Sequence, residues 1–211
     1  MATKNAPRIM FVHGIWMVGL EMSYLKRHVA KQGYETTGFV YRTITKSIPV
    51  NAEKLYQRLQ SDGVETILIA HSLGGLLVAE MVRLHPDVLS LVKGVMSLGS
   101  PLKGSHVAKH IADRWWLRWG LGKSRQALVQ GTASWEHSTP WLSLAGTTQV
   151  GVGRYLGAIK ERGDGAVAVR ETQLDGVEFA GEFPVSHTMM LFSKEVLDVV
   201  LGFLGKFDKP K

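Results

Sequence analysis

The 211-residue sequence contains no cysteine. This absence excludes a disulfide framework, a thiol nucleophile and a thiolate metal site. No apolar run reaches the roughly 18 residues that a membrane-spanning helix needs. The N-terminal sequence MATKNAPRIMFVHG has one lysine before Pro7 and lacks both a long apolar segment and a small-residue cleavage site, so we expect no signal peptide. These absences predict a soluble, cytoplasmic chain.

Hydrophobic residues make up 45% of the sequence, which is enough to bury a sizeable core. The length fits a single domain over residues 1–211. The 25 Lys and Arg residues against 18 Asp and Glu residues give a net charge of +7, which attracts anionic surfaces without naming a partner.

Apolar runs alternate with amphipathic segments along the chain. Several of these runs are continuous rather than alternating, which is typical of parallel strands covered on both faces. Helices are predicted to begin at Asn51, at Leu73 and near Ser193. The strands are predicted at residues 8–14, 35–42, 65–70, 92–99, 141–147 and 176–184. We therefore predict an α/β fold with about six mostly parallel strands and helices on both faces.

Residues 103–140 interrupt the alternation and hold four tryptophans: Trp115, Trp116, Trp119 and Trp135. Six Lys or Arg residues and one Asp within residues 103–125 give a local charge of 6 − 1 = +5. We predict a helical cap inserted into the domain. Its tryptophans either cover an acyl pocket or only pack the cap, and its charge either draws it to anionic lipid or solvates a surface helix.

The stretch ILIAHSLGGLLVAE, residues 67–80, passes from a strand to a helix through a serine. A tight turn there requires small residues two before and two after Ser72, and these are Ala70 and Gly74. The pattern Ala-His-Ser-Leu-Gly is a variant of Gly-x-Ser-x-Gly, in which the turn exposes the serine hydroxyl above the sheet. We predict Ser72 to be a catalytic nucleophile; the competing interpretation is a helix-capping serine.

A serine nucleophile needs donors for the developing oxyanion. FVHGIW closes the first strand, and Gly14 there lets the backbone approach a ligand. We predict the backbone N–H groups of Ile15 and Leu73 to form the oxyanion hole.

The base and its orienting acid are expected later in the chain. Asp164 lies between two glycines after the fifth strand, and His187 follows the sixth. The order Ser72, Asp164, His187 is the nucleophile–acid–base order of α/β-hydrolases. Asp175 and Asp198 are the reserve candidates for the acid. The histidines beside the two motifs, at positions 13 and 71, are expected to support them structurally.

The sequence resembles the α/β-hydrolase superfamily, and within it the small bacterial lipase and esterase type. The motifs VHGIW, AHSLGG, LGSPLKGS, GDGAV and SHTMML carry the resemblance, with Ser100 standing where many lipases have threonine. The resemblance implies a Ser72–His187–Asp164 triad that transfers an acyl group to water without a cofactor or metal. Because the chain starts almost at the His-Gly strand, we expect a minimal six-stranded version of the fold.

These observations predict a carboxylic ester hydrolase acting on a small-molecule acyl ester, and no nucleic-acid partner. An acyl thioesterase or amidase with the same triad is the alternative enzyme, and a non-catalytic binding protein is the alternative of another class. We assign Trp16, Trp115, Trp116 and Trp119 to the substrate pocket and expect transient contact of the cap with a lipid surface.

Overall fold

The computed structural model describes residues 6–151 and 161–207. Its six strands form one sheet in the order β2-β1-β3-β4-β5-β6, and every neighbouring pair is parallel. The strands are β1 (Arg8–Val12), β2 (Thr36–Phe39), β3 (Thr66–His71), β4 (Val92–Leu98), β5 (Trp141–Gly146) and β6 (Glu178–Phe183). The predicted α/β fold with a six-stranded parallel sheet is confirmed.

Helices cover both faces of the sheet, and each face has its own apolar core. The α-helices of the described residues are α1 (Ser23–Ala30), α2 (Ile48–Asp62), α3 (Leu73–Leu84), α4 (His106–Ala112), α5 (Arg125–Gln130) and α6 (Lys194–Leu204). Helices α2 to α5 contribute to one core, and α1 and α6 contribute to the other. None of these helices is long and apolar enough to cross a bilayer.

Strand β3 shows why the central strands read as continuous apolar runs. Leu68 and Ala70 point into the core under α2 and α3, whereas Ile67 and Ile69 point into the core under α1 and α6. Successive side chains of a strand face opposite sides of the sheet, so a strand covered on both sides must be apolar at every position. Ser72 directly follows the carboxyl end of this strand.

The helices differ from the prediction in two respects. Helix α2 begins at Ile48 rather than Asn51, because its first turn contains a proline, which fits there without losing a hydrogen bond. Helix α1 was not predicted. Only two of its residues, Leu25 and Val29, are buried, and two apolar side chains one turn apart give a weak periodic signal.

The segment between β4 and β5 contains α4, the 3-10 turn Arg118–Ser124 and α5. Several of its apolar side chains join the same core as α2 and α3: Val107, Ala108, Ile111, Leu121 and Leu128. This part of residues 103–140 is therefore packed onto the sheet domain. Its action as a cap stays a prediction.

Candidate active site

Ser72 lies at the junction of β3 and α3, in a backbone conformation that is rare for a residue with a side chain. Its φ is 53° and its ψ is −120°. The turn brings the start of α3 against neighbouring backbone, so that a Cβ on Gly74 would lie 2.5 Å from the carbonyl oxygen of Val12. A Cβ on Gly75 would lie 2.4 Å from Oγ of Ser100. Both glycines are thus needed for close packing around the serine, which explains their place in a helix.

His187 is paired with Asp164. Nδ1 of His187 lies 2.7 Å from Oδ2 of Asp164, and the backbone N–H of His187 also donates to the Asp164 carbonyl at 3.0 Å. The first bond holds the imidazole to the carboxylate and the second joins the two backbones, which leaves Nε2 to act as a base.

The Asp164 carboxylate is built into a tight turn. Its Oδ1 accepts hydrogen bonds from the backbone N–H groups of Ala166 at 2.9 Å and Val167 at 2.8 Å. The following Gly165 has a φ of +96°, a conformation that suits glycine. The residue is buried, and its bonds to backbone donors and to His187 compensate for the lost hydration.

The two reserve acids lie in different surroundings. Asp175 is exposed and lies 3.5 Å from Nζ of Lys103. Asp198 is exposed on α6 and lies 3.2 Å from Nζ of Lys194. Of the three predicted acids, only Asp164 is paired with His187 in the described residues.

Ser72 and His187 line one cavity, and their side chains are not hydrogen-bonded to each other within the described residues. Catalytic hydrogen bonds are often long in the absence of substrate and shorten when it binds.

The loop after β1 carries the predicted oxyanion donor Ile15 and lies against Ser72. A Cβ on Gly14 would be 3.0 Å from Cβ of Ser72, so this approach requires glycine. Tyr41 N–H donates to Nε2 of His13 at 3.2 Å, which leaves Nδ1 of His13 to donate to the Gly14 carbonyl at 2.9 Å. The carbonyl and the Ile15 N–H belong to one planar peptide, so His13 helps to orient this donor.

His71 contacts the backbone of His187. It is fully buried, and its Nε2 lies 3.0 Å from the carbonyl oxygen of His187. Because a carbonyl can only accept, Nε2 carries the hydrogen and Nδ1 has no partner in the described residues. Burial, with a smaller contribution from nearby His187, holds the pKa of His71 well below its usual 6.5. His71 is therefore a neutral donor that positions His187.

The cavity beside Ser72 has a volume of about 240 Å³. Its wall is mainly aliphatic, with side chains from the 103–140 segment on one side: Val107, Ala108, Ile111, Leu121 and Leu128. Trp16 also lines the cavity. The rings of Trp115, Trp116 and Trp119 do not line it within the described residues and are 59–75% exposed. A pocket role for these three stays a prediction.

A second carboxylate–histidine pair was not predicted from the sequence. Buried Glu171 accepts from both the backbone N–H and Nδ1 of His106 at 2.7 Å, and from the N–H of Ala168 at 2.9 Å. The partners are 65 residues apart, so no local pattern reveals them. In the described ranges no three His, Asp or Glu side chains are grouped so that they could hold a metal ion.

No protein-family model matches the sequence, and no curated protein matches it. Solved structures do match. The lipase BlEst2 of Bacillus licheniformis in its mature form is 23% identical, with a TM-score of 0.76 over 97% of this chain and 94% of that chain. The metagenomic carboxyl esterase MGS0156 is 16% identical, with a TM-score of 0.69 over 97% and 77% of the two chains.

The pyrethroid hydrolase PytH is 14% identical, with a TM-score of 0.63 over 95% of this chain and 98% of that chain. The three proteins are named for different activities, and the likeness concerns the arrangement of strands and helices. Together with the parallel sheet and its strand order, it shows that this chain has the α/β-hydrolase fold.

Proposed function

We propose that this chain is a serine hydrolase that cleaves carboxylic esters through an acyl-enzyme. The observation that most supports the proposal is the 2.7 Å pairing of His187 with buried Asp164 at a cavity that Ser72 also lines. The positive φ of Ser72 and the fold shared with lipases and esterases add to it.

In the proposed reaction Ser72 Oγ bonds to the ester carbon while Nε2 of His187 takes its proton. The carbonyl π electrons move to oxygen, where the N–H groups of Ile15 and Leu73 stabilise the negative charge. Neither group donates to another atom within the described residues. Collapse breaks the ester C–O bond, and His187 protonates the departing alkoxide.

Water then attacks the acyl-enzyme and gives a proton to His187. The second collapse releases the carboxylic acid and returns the proton to Ser72. Asp164 stabilises the imidazolium in both halves of the cycle.

The volume and the lining of the cavity favour a substrate with a short or medium apolar acyl group. Its volume of about 240 Å³ is below the range of about 300–1,000 Å³ of pockets for drug-sized ligands. No Lys, Arg, Asp or Glu is among its described lining residues. An acyl thioesterase or an amidase with the same residues is the alternative, and a panel of matched esters, thioesters and amides separates the three by relative kcat/KM.

The direct test is hydrolysis of p-nitrophenyl acetate together with labelling by a fluorophosphonate. We expect the wild-type chain to hydrolyse the ester and to bind one fluorophosphonate, and Ser72→Ala to lose both. Ser100→Ala is the matched control, because Ser100 is also a buried serine near the turn and its Oγ has no partner in the described residues. Absence of both activities in the wild-type chain would favour the non-catalytic binding protein.

We also propose that residues 103–140 act as a cap and that its exposed tryptophans contact lipid transiently. The supporting observation is three largely exposed indole rings in five residues, with the Arg118 guanidinium 5.7 Å from the Trp119 ring centre. Exposed indoles suit a membrane interface, and neighbouring cations favour anionic lipid. Trp fluorescence should shift to the blue with phosphatidylglycerol vesicles and change less with phosphatidylcholine vesicles.

A further inference from the structure

Trp16 has an uncommon backbone conformation beside the oxyanion loop. Its φ is 61°, and among the described residues only Trp16 and Ser72 combine a side chain with a positive φ. Bulky side chains rarely adopt this region, so surrounding contacts must hold Trp16 in place. The question is which contacts do so and what they position.

Two hydrogen bonds hold Trp16. Its indole Nε1 donates to the carbonyl oxygen of Gly120 at 2.7 Å, and its backbone N–H donates to Oγ1 of Thr43 at 3.3 Å. Gly120 belongs to the turn Arg118–Ser124, immediately after Trp119. The indole thus joins the oxyanion loop to the segment predicted to be a cap.

The other end of the same turn is bonded to Thr43, the second partner of Trp16, and to the next residue, Ile44. Ser124 Oγ donates to the Thr43 carbonyl at 2.5 Å, and Lys123 N–H donates to the Ile44 carbonyl at 2.9 Å. A closed set of hydrogen bonds therefore joins Trp16 to residues 43–44 and to the Arg118–Ser124 turn. Movement of the turn would be transmitted to Trp16.

Trp16 directly follows Ile15, whose N–H is the proposed oxyanion donor. On the other side His13 holds the Gly14 carbonyl at 2.9 Å. The peptide that carries the donor is therefore held from both ends, by His13 before it and by Trp16 after it. A donor held in advance costs no reorganisation when charge develops.

We propose that Trp16 is a positioning residue whose indole hydrogen bond to Gly120 holds the Ile15 N–H in place and couples the Arg118–Ser124 turn to the oxyanion site. The inference rests on the proposed ester hydrolysis. A cavity wall is the competing role, because the Trp16 ring also lines the cavity. The two roles predict different kinetics: a wall sets KM, whereas positioning of an oxyanion donor sets kcat.

The test is Trp16→Phe, which keeps an aromatic ring and removes the indole N–H. Loss of an oxyanion donor lowers kcat by about 10²–10³-fold, so misplacement of one donor should cost about 10-fold or more. We expect this fall in kcat on p-nitrophenyl acetate with KM changed by less than about 2-fold. Binding of a trifluoromethyl ketone, whose serine adduct has a tetrahedral oxyanion, should weaken by a similar factor.

Trp135→Phe is the matched control. Trp135 Nε1 also donates to a backbone carbonyl, that of Thr139 at 2.8 Å, and Trp135 is not among the described residues that line the cavity. Its substitution removes the same kind of bond and should leave kcat within about 2-fold of wild type, since Trp135 packs in the core against Trp141 and is not a proposed catalytic, oxyanion or pocket residue. A similar fall in kcat in both variants would mean a general loss of structure and would overturn the inference.

A Trp16→Phe variant with unchanged kcat, or with a change in KM alone, overturns the positioning role while ester hydrolysis by the wild type still stands. A wild-type chain without esterase activity overturns the proposed function and this inference with it. If Trp16→Phe does not fold, Thr43→Val removes the acceptor of the Trp16 backbone N–H. That variant tests whether the hydrogen bonds that hold Trp16 also hold the Ile15 N–H; it is expected to lower kcat, and an unchanged kcat there is contrary to the positioning role of Trp16.

Discussion

Two buried carboxylates of this chain, seven positions apart, each hold a histidine at the same distance. Asp164 is 1% and Glu171 2% exposed, and each lies 2.7 Å from Nδ1 of its partner, His187 or His106. Both acids also accept backbone N–H groups. By burial of the acid and by the distance to the histidine alone, the two pairs cannot be told apart.

The two carboxylate–histidine pairs differ in their surroundings. The His187 side chain is 16% exposed and lines the cavity with Ser72, whereas His106 is 60% exposed and its ring lies about 3 Å from the guanidinium of Arg170. Glu171 links the start of α4 to the turn Val169–Thr172. A carboxylate–histidine pair is therefore not an active site by itself; the cavity and the strained serine make the difference.

We expect the largest effect at Ser72, the serine that lines the same cavity as His187. Ser72→Ala should lower ester hydrolysis by at least about 10³-fold, because a nucleophile and its base act as a unit. The fold should survive, since loss of one hydroxyl leaves the turn glycines and their packing unchanged. Steady-state kinetics and far-UV circular dichroism check this, and turnover near that of wild type would contradict the assignment.

The next effect compares the acids directly. Asp164→Asn should lower kcat by about 10²-fold or more, because an amide cannot stabilise the imidazolium and favours the wrong tautomer. Glu171→Gln should change kcat by less than about 10-fold, and Asp175→Asn should leave it unchanged because Asp175 lies at the amino end of β6, away from the site. If Asp175→Asn or Glu171→Gln lost more activity than Asp164→Asn, the assignment of the acid would be wrong.

Glu171 should instead matter for stability. In Glu171→Gln an amide N–H₂ replaces one acceptor oxygen in a buried site that faces several donors, which should lower the free energy of unfolding by about 1–3 kcal/mol. Urea unfolding of Glu171→Gln beside exposed Glu136→Gln provides the measurement and its control. Equal midpoints for the two variants would show that Glu171 does not anchor α4.

The sheet could be predicted from the sequence, and the three proposed catalytic residues could be selected from it, because their signals are local. Continuous apolar runs mark strands covered on both sides, and the serine, acid and base occur with turn residues in the chain order of the fold. The pair of Glu171 with His106 and the bond from Trp16 to Gly120 join residues 65 and 104 positions apart. Such contacts depend on tertiary packing, which no local pattern encodes.

A third histidine, His71, is not paired with a carboxylate in the described residues. We expect it to make the free energy of unfolding depend on pH. Burial lowers its pKa well below 6.5, so the unfolded chain binds a proton that the folded chain does not as pH falls below 6.5. Stability is therefore lost on acidification, by about 1.4 kcal/mol per pH unit for one proton. Urea unfolding at pH 7.5 and 5.5 should show a smaller loss in His71→Gln, which keeps a donor for the His187 carbonyl.

Exposed His137→Gln is the control for this comparison, and it should keep the loss seen in wild type. Burial also lowers the pKa of His13, so part of the acid sensitivity should remain in His71→Gln. An identical loss in wild type and His71→Gln would show that His71 is not kept neutral by the fold.

The smallest effect is expected at the exposed tryptophans that follow α4, the helix whose start Glu171 anchors. Trp115, Trp116 and Trp119 do not line the cavity in the described residues, so single alanine substitutions should change kcat/KM for p-nitrophenyl acetate by less than about 2-fold. If they form part of the cap surface, at least one substitution should weaken long-chain ester hydrolysis more than acetate hydrolysis, because each indole offers a large apolar area to the longer chain or to its lipid phase. The measurement is the ratio of kcat/KM for the decanoate and acetate esters in each variant. Ratios equal to that of wild type at all three positions would mean that these rings serve neither acyl preference nor lipid contact.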